Sequence, residues 1–157
     1  MKTLEFKLKG KTEQFQIVDQ AIRTAQFVRN KALRYWEDNS GVKPYDLNIY
    51  CSRLAKEFSW ANKLNSQARQ AAAERAAFAI VRFYENCKAN KSGKKGYPKY
   101  KKNSRSVEYK NTGWKLASDR KHITFTDKQG LGTFKLVGTW DLHFYSYEQL
   151  RRVRILR

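Results

Sequence analysis

Residues 91 to 105 read KSGKKGYPKYKKNSR: seven Lys or Arg and no acid, with Tyr97 and Tyr100 set among the lysines and Pro98 between them. Cations in such a run can meet successive phosphates, and each phosphate neutralised releases condensed counterions. Tyrosines among them can stack on unpaired bases or pack beneath the backbone. The bland alternative is a flexible charged linker punctuated by Pro98. Linkers seldom place aromatics among their cations, and the whole chain agrees with the loop in sign. Lys94, Lys95, Tyr97, Lys99, Tyr100, Lys101, Lys102 and Arg105 are therefore candidate contacts to a nucleic-acid backbone or to RNA.

Other chemistries find little support. Cys51 and Cys87 lie far apart with no CxxC partner, so neither a zinc site nor a disulfide framework can be read from them, and two buried free thiols in a reducing compartment are the expectation. His122 and His143 are isolated. The 14 carboxylates are scattered, no Ser, His and Asp arrangement is visible, and no glycine-rich phosphate loop follows a strand. A metal-dependent nuclease needs several acids converging on one or two ions. No cofactor or metal is expected in this chain.

Composition bounds the partner. A length of 157 residues suits one ordinary domain or two small ones, and 41% hydrophobic with 14% aromatic residues argues against a disordered tail. A formal charge of +19 opposes compaction unless a polyanion screens it, which points to nucleic acid. A membrane is disfavoured, because no apolar run approaches a span and MKTLEFKLKG lacks the apolar core of a signal peptide. Residues 1 to 90 carry 16 basic against 9 acidic side chains, a net +7, and residues 91 to 157 carry 17 against 5, a net +12. The excess lies on the second half and its entry loop.

The elements that must position these residues follow from periodicity. TLEFKLK, residues 3 to 9, alternates like a half-buried strand. From Thr12, read as an N-cap, apolar residues fall at helical spacing to about Asp38. A shorter helix runs from Asp46, also read as a cap, to Phe58, and a third from Ser66 to about Lys88 with Ala72, Ala76, Ala79, Ile80, Phe83 and Cys87 inward. Beyond the basic loop, SVEYK, WKLA, KHITFT, GTFKLV, DLHFY and RRVRIL alternate like short strands of a small barrel or sandwich. Pairing the strand at 3 to 9 with these later ones makes the helices an insertion. There is no internal repeat. RRVRILR stops in mid-alternation, so the expectation is a fragment or a natural truncation.

Helical positions add candidates. The third helix opens with Ser66, Gln67, Arg69 and Gln70 beside Ala71, Ala72 and Ala73. Small residues let a helix approach a duplex, and Gln can pair bidentately with an adenine edge; close packing against the first helix is the alternative. Tyr45, Asp46 and Asn48 open the second helix, whose free amides favour phosphates, though Asp46 is most simply a cap. Arg29 and Arg34 lie on a basic face of the first helix. Such faces are more often solvated than bound, but the total charge makes these two candidate backbone contacts.

Four stretches together resemble one family: AQFVRNKAL at 25 to 33, SW at 59 to 60 with Gln70 ten residues on, FYENCKANKSGKKGYPKYKK at 83 to 102, and the closing RRVRI. They are similar to the N-terminal half of TnpB proteins, RNA-guided DNA nucleases of insertion sequences related to the type V CRISPR effectors. GYPKY after a Lys-rich turn is the most specific, and the resemblance spans essentially the whole chain. It implies a wedge-type β-barrel interrupted by a helical recognition insert. The corresponding bounds are a first barrel strand at 1–10, an insert at 11–95 and the rest of the barrel at 96–157, ending before a nuclease domain.

It also implies partners: the scaffold of a guide RNA and a short adjacent motif on duplex DNA, protein reading the motif and base pairing the longer target. By position Tyr45, Gln70 and Thr112 match contacts to that motif, with Asn48 and Ser66 beside them. Ser66 stands where a related protein has lysine, which puts the motif preference in doubt. The RuvC-like nuclease domain and CxxC zinc ribbon of the family lie beyond Arg157, so this chain is expected not to cut DNA alone. A prokaryotic, nucleoid-associated cytoplasmic location follows from the same resemblance.

The combined expectation is an α+β unit, a small β-barrel interrupted after its first strand by a three-helix insertion, binding guide RNA and duplex DNA for RNA-guided targeting. The alternative is a nuclease-free DNA-binding transcriptional regulator or accessory transposition protein acting without RNA. An enzyme with its own active site is a third class. The sequence leaves oligomeric state, the adjacent motif and the guide sequence open.

Overall fold

A computed structural model of the chain describes residues 1–157, the side chain of Asn111 excepted. Strand β1 (Lys7–Lys9) is followed by three helices, α1 (Thr12–Asp38), α2 (Pro44–Glu57) and α3 (Ser66–Lys88). Strands β2 (Ser106–Lys110), β3 (Trp114–Leu116), β4 (His122–Phe125), β5 (Gly132–Val137) and β6 (Arg152–Leu156) come after them. The fold is mixed α+β, with all pairings antiparallel.

The helices form because each carries one apolar stripe that finds the others. Val18, Ala21, Ala25, Val28, Ala32 and Leu33 of α1 are buried with Leu47, Cys51 and Leu54 of α2 and Ala68, Ala72, Ala76 and Ile80 of α3. Tyr35 stacks on Tyr50 at 4.3 Å while Phe27 meets Phe58 edge-on at 5.1 Å, so α2 runs antiparallel to α1. The run Ala71, Ala72, Ala73, Ala76, Ala77 is buried. These small side chains serve close packing inside the protein and are not open to a duplex.

Caps sit one to three residues from where the sequence puts them. Asn65, one residue before Ser66, caps α3, its Oδ1 accepting from Gln67 N at 2.8 Å. Asp46 lies inside the first turn of α2 and accepts from Lys43 N at 2.7 Å; Gln14 does the same for Lys11 at 2.8 Å, so α1 begins with Thr12 already helical. Cys51 is buried as expected, and burial raises its thiol pKa; Cys87 instead is exposed.

The strands correct the barrel expectation. They make a four-stranded sheet in the order β1-β5-β4-β3 and a separate two-stranded ribbon, β2-β6, and barrel closure is not seen. The break falls where the 3-10 turn Asn111–Gly113 interrupts the chain between β2 and β3, sending them into different sheets. The ribbon packs instead on α3, whose half-buried Glu74 accepts from Lys110 and from Arg152 at 3.0 Å; within the ribbon Glu108 accepts from Arg152 at 3.0 Å and Arg154 at 3.3 Å.

β1 spans only part of TLEFKLK because its partner stops: Lys7 pairs with Val137, the last residue of β5. DLHFY is not a strand. Asp141 Oδ1 accepts from His143 N at 2.8 Å, a local bond that competes with strand pairing and starts a 3-10 turn over Leu142–Phe144. Phe125 and Phe134 from the larger sheet and Leu131 just before β5, with Val107, Tyr109 and Ile155 from the ribbon, join the helical residues in one continuous core.

Candidate nucleic-acid interface

The basic loop is held along α1 as a strap. After α3, residues Gly93 and Gly96 adopt φ of 80° and 77°, a left-handed conformation that glycine enters without a Cβ clash, and they reverse the chain. Asn86 Nδ2 donates to Lys95 O at 3.0 Å and Arg29 Nη1 to Lys99 O at 3.0 Å. Asn30 grips Lys101 from both sides, accepting from its N–H at 2.9 Å and donating to its carbonyl at 2.8 Å. Gln26 Oε1 then accepts from Ser104 N at 2.8 Å.

Both strap tyrosines point back at the protein. Tyr97 OH donates to Glu37 Oε1 at 3.2 Å and Tyr100 OH to Glu37 Oε2. The Tyr97 ring lies 5.7 Å from Trp36 and edge-on to Phe83 at 5.2 Å, and Pro98 between the two tyrosines is buried. The tyrosine pKa values are raised, Tyr97 by desolvation with the neighbouring Glu37 charge and Tyr100 first by its bond to Glu37, which favours the protonated donors seen here.

These anchors use the strap's backbone and tyrosine hydroxyls, which frees its ammonium groups. Lys94, Lys99, Lys101 and Lys102 are exposed and Lys95 half-exposed. A row of cations on a backbone already ordered needs less ordering on binding than the same row on a free linker. Arg105 is also exposed; it lines a cleft with Arg23, Ser104, Arg157 and Asp19, its Nε donating to Arg157 O at 2.9 Å.

The two α1 arginines divide. Arg29 is only 8% exposed and spends its guanidinium on Lys99 O and on Asn30 Oδ1 at 3.3 Å, so it builds the strap and is not a surface contact; burial, then the charge of Arg75, lowers its pKa. Arg34 is exposed and paired with Asp38 at 2.9 Å, a bond that raises its pKa.

A second group gathers at the start of α3. Asn65 Nδ2 donates to Thr126 Oγ1 at 3.1 Å, and Thr126 Oγ1 donates to Thr112 O at 2.9 Å. Gly113 closes the join: a Cβ there would sit 2.9 Å from Asn65 Oδ1 and 3.1 Å from Gln67 Cβ. Ser66 and Thr112, both exposed, thus share one end of the bundle with half-buried Gln70, one turn further along α3.

Tyr45 does not join them. It is 73% exposed on the first turn of α2, about 18 Å along the helix axis from Glu57, where the chain turns toward α3. Asn48 is half-buried with its Oδ1 enclosed and unpaired.

Sequence reasoning missed the anchors Gln26, Asn30, Glu37 and Asn86 as a set. One signal was present: positions 26, 30 and 37 fall on one face of a helix, a polar stripe beside the apolar one. Among the described residues no group of three or more His, Cys, Asp or Glu side chains is arranged to hold a metal ion, and no helix is long and apolar enough to cross a membrane. In comparison with known proteins, no family model and no curated protein matches the chain.

Proposed function

We propose that this chain is the nucleic-acid-binding module of a TnpB-like, transposon-encoded protein, holding a guide-RNA scaffold and a short adjacent motif on duplex DNA. The observation that carries the binding is the strap: five lysines between Lys94 and Lys102, exposed or half-exposed, their backbone tied to α1 by Arg29 and Asn30 and the following Ser104 by Gln26. A formal charge of +19 supports a polyanionic partner of either kind. The assignment to guide RNA and an adjacent motif rests on the sequence resemblance alone.

In this reading the strap supplies affinity without sequence preference, because phosphate contacts position a ligand and base contacts specify it. Specific reading falls to the group at the start of α3, where Gln70 has an amide of the kind that pairs with adenine. Catalysis is assigned elsewhere than in this chain.

The test is filter binding of structured RNA and of duplex DNA across a salt series. Several phosphate contacts require log K to fall with log salt by about 0.7 to 0.9 per contact. A flat response overturns the proposal. Co-purification of a specific RNA separates the RNA-guided role from a DNA-binding regulator, which emerges RNA-free and binds duplex sequence-specifically.

A further inference from the structure

Where the strap meets the C-terminal ends of α1 and α3 there is a cleft of about 410 Å³, lined by Trp36, Glu37, Val42, Tyr84 and Tyr97. Its volume is at the low end of small-ligand clefts, roughly 300 to 1,000 Å³, enough for a single planar group and too small for a duplex end. The Trp36 ring stands edge-on to Tyr84 at 6.0 Å and tilted to Tyr97 at 5.7 Å, so three aromatic rings border one space. Tyr84 and Tyr97 are about half exposed, at 48% and 52%, leaving ring surface open toward it.

Asn39 and Ser40 also line the cleft, Asn39 spending its amide N–H on Tyr35 O at 2.9 Å, and its one charged group, Glu37, is an acid in a strongly basic protein. Glu37 accepts one tyrosine hydroxyl on each oxygen. An ionised carboxylate offers about four lone-pair sites, so each oxygen keeps room for a further donor. Aromatic walls with an acceptor pair exclude a phosphate, which the carboxylate repels, and favour a flat ligand that presents two adjacent N–H donors.

We propose that this cleft receives an unpaired guanine base from an RNA whose backbone lies on the lysine strap. Guanine presents N1–H and the N2 amino group side by side on its Watson–Crick edge, matching the two Glu37 oxygens, while adenine presents only its N6 amino group. Unpaired bases splayed onto aromatic side chains and read on that edge are the usual currency of single-stranded RNA recognition. Lys94, Lys95 and Lys99 flank Tyr97 in the chain and provide the cations for the adjoining phosphates. The assignment rests on the nucleic-acid reading above and adds a site and a base to it.

The test uses the intact chain and short oligouridine RNAs carrying one central guanosine, inosine or adenosine, with affinity followed by fluorescence anisotropy. Guanosine should bind about tenfold more tightly than adenosine, with inosine between because it lacks the N2 amino group. Glu37→Gln, which keeps one acceptor for the tyrosines, should abolish the preference and leave the salt slope unchanged. Tyr84→Ala removes a half-exposed ring and should weaken binding of the guanosine and adenosine RNAs alike, by at least about fivefold.

Equal binding of the three RNAs with a steep salt slope overturns the guanine cleft while leaving the electrostatic reading intact, as does a preference that survives Glu37→Gln. Absent or salt-independent binding overturns both.

Discussion

Asn30→Ala removes the side chain that holds both backbone groups of Lys101, with bonds of 2.8 and 2.9 Å. A net intramolecular hydrogen bond contributes about 0.5 to 1.5 kcal/mol. Both groups of Lys101 can hydrate once released, which places the combined loss toward the lower end, about 1 to 2 kcal/mol. Arg29 and Gln26 still hold Lys99 and Ser104, so the loss is local opening of the strap and the helical core is retained. Native-state amide exchange monitored by NMR reads this directly: the Lys101 N–H should exchange about 5 to 30 times faster in the variant, while amides of Val28 and Ala72 in the core should not change. Nucleic-acid affinity should fall at unchanged salt slope, since no charge is removed and only the ordering cost of binding has risen. Unaltered exchange at Lys101 would refute the strap as a fixed element.

Three further outcomes follow from particular contacts. A Cβ at Gly10 would lie 2.6 Å from the Phe134 ring and 2.8 Å from Gln14 Oε1, so Gly10→Ala should destabilise by roughly 1 to 3 kcal/mol in urea unfolding. For Glu74, burial would raise the carboxyl pKa, but bonds from Lys110 and Arg152 more than offset it and hold the value below the ordinary 4.5; that stabilisation is present above about pH 4.5 and lost as pH falls through the folded value, so the difference in urea midpoint between the wild type and Glu74→Gln should shrink below pH 4.5. Gln70→Ala should relax discrimination at one base pair of the duplex by roughly 1 to 3 kcal/mol while Lys99→Ala weakens matched and mismatched duplexes equally, and equal loss in both variants would count against base reading by Gln70.

Local pattern carried much of the fold. The 27-residue stripe of α1 and the alternation of SVEYK, HITF and GTFKLV are periodic signals long or clean enough to place elements within a residue or two. What periodicity does not encode is which strands pair, and here lay the main error: alternation in β2 and β3 is equally good, yet a three-residue turn at Asn111–Gly113 sends them to different sheets. DLHFY alternates too, but Asp141 offered its own backbone a closer partner than any strand did.

The candidate site was legible to a similar depth. Charge and aromatic content marked residues 91 to 105 from composition alone. The side chains that turn this segment from a linker into a strap lie about 60 to 80 positions earlier, Gln26 on Ser104, Asn30 on Lys101 and Glu37 on the two tyrosines; the polar stripe they form on α1 is a local signal, but it does not name the distant segment it binds. The same gap misplaced Arg29: a basic residue on a helix reads as surface until the chain that covers it is known. The tyrosines, readable either as stacking groups or as packing, are seen packing here, with Tyr97 keeping one face toward the cleft.

The most direct measurement of the central claim is the salt slope of RNA binding for the wild type against Lys99→Gln/Lys101→Gln/Lys102→Gln. These three exposed ammonium groups lie on the strap and outside the core, so the variant should fold normally. If each neutralises a phosphate, the slope of log K against log salt should become shallower by about 2 to 3. A slope unchanged within error, in a protein that still binds RNA, would place the phosphate contacts elsewhere and contradict the account.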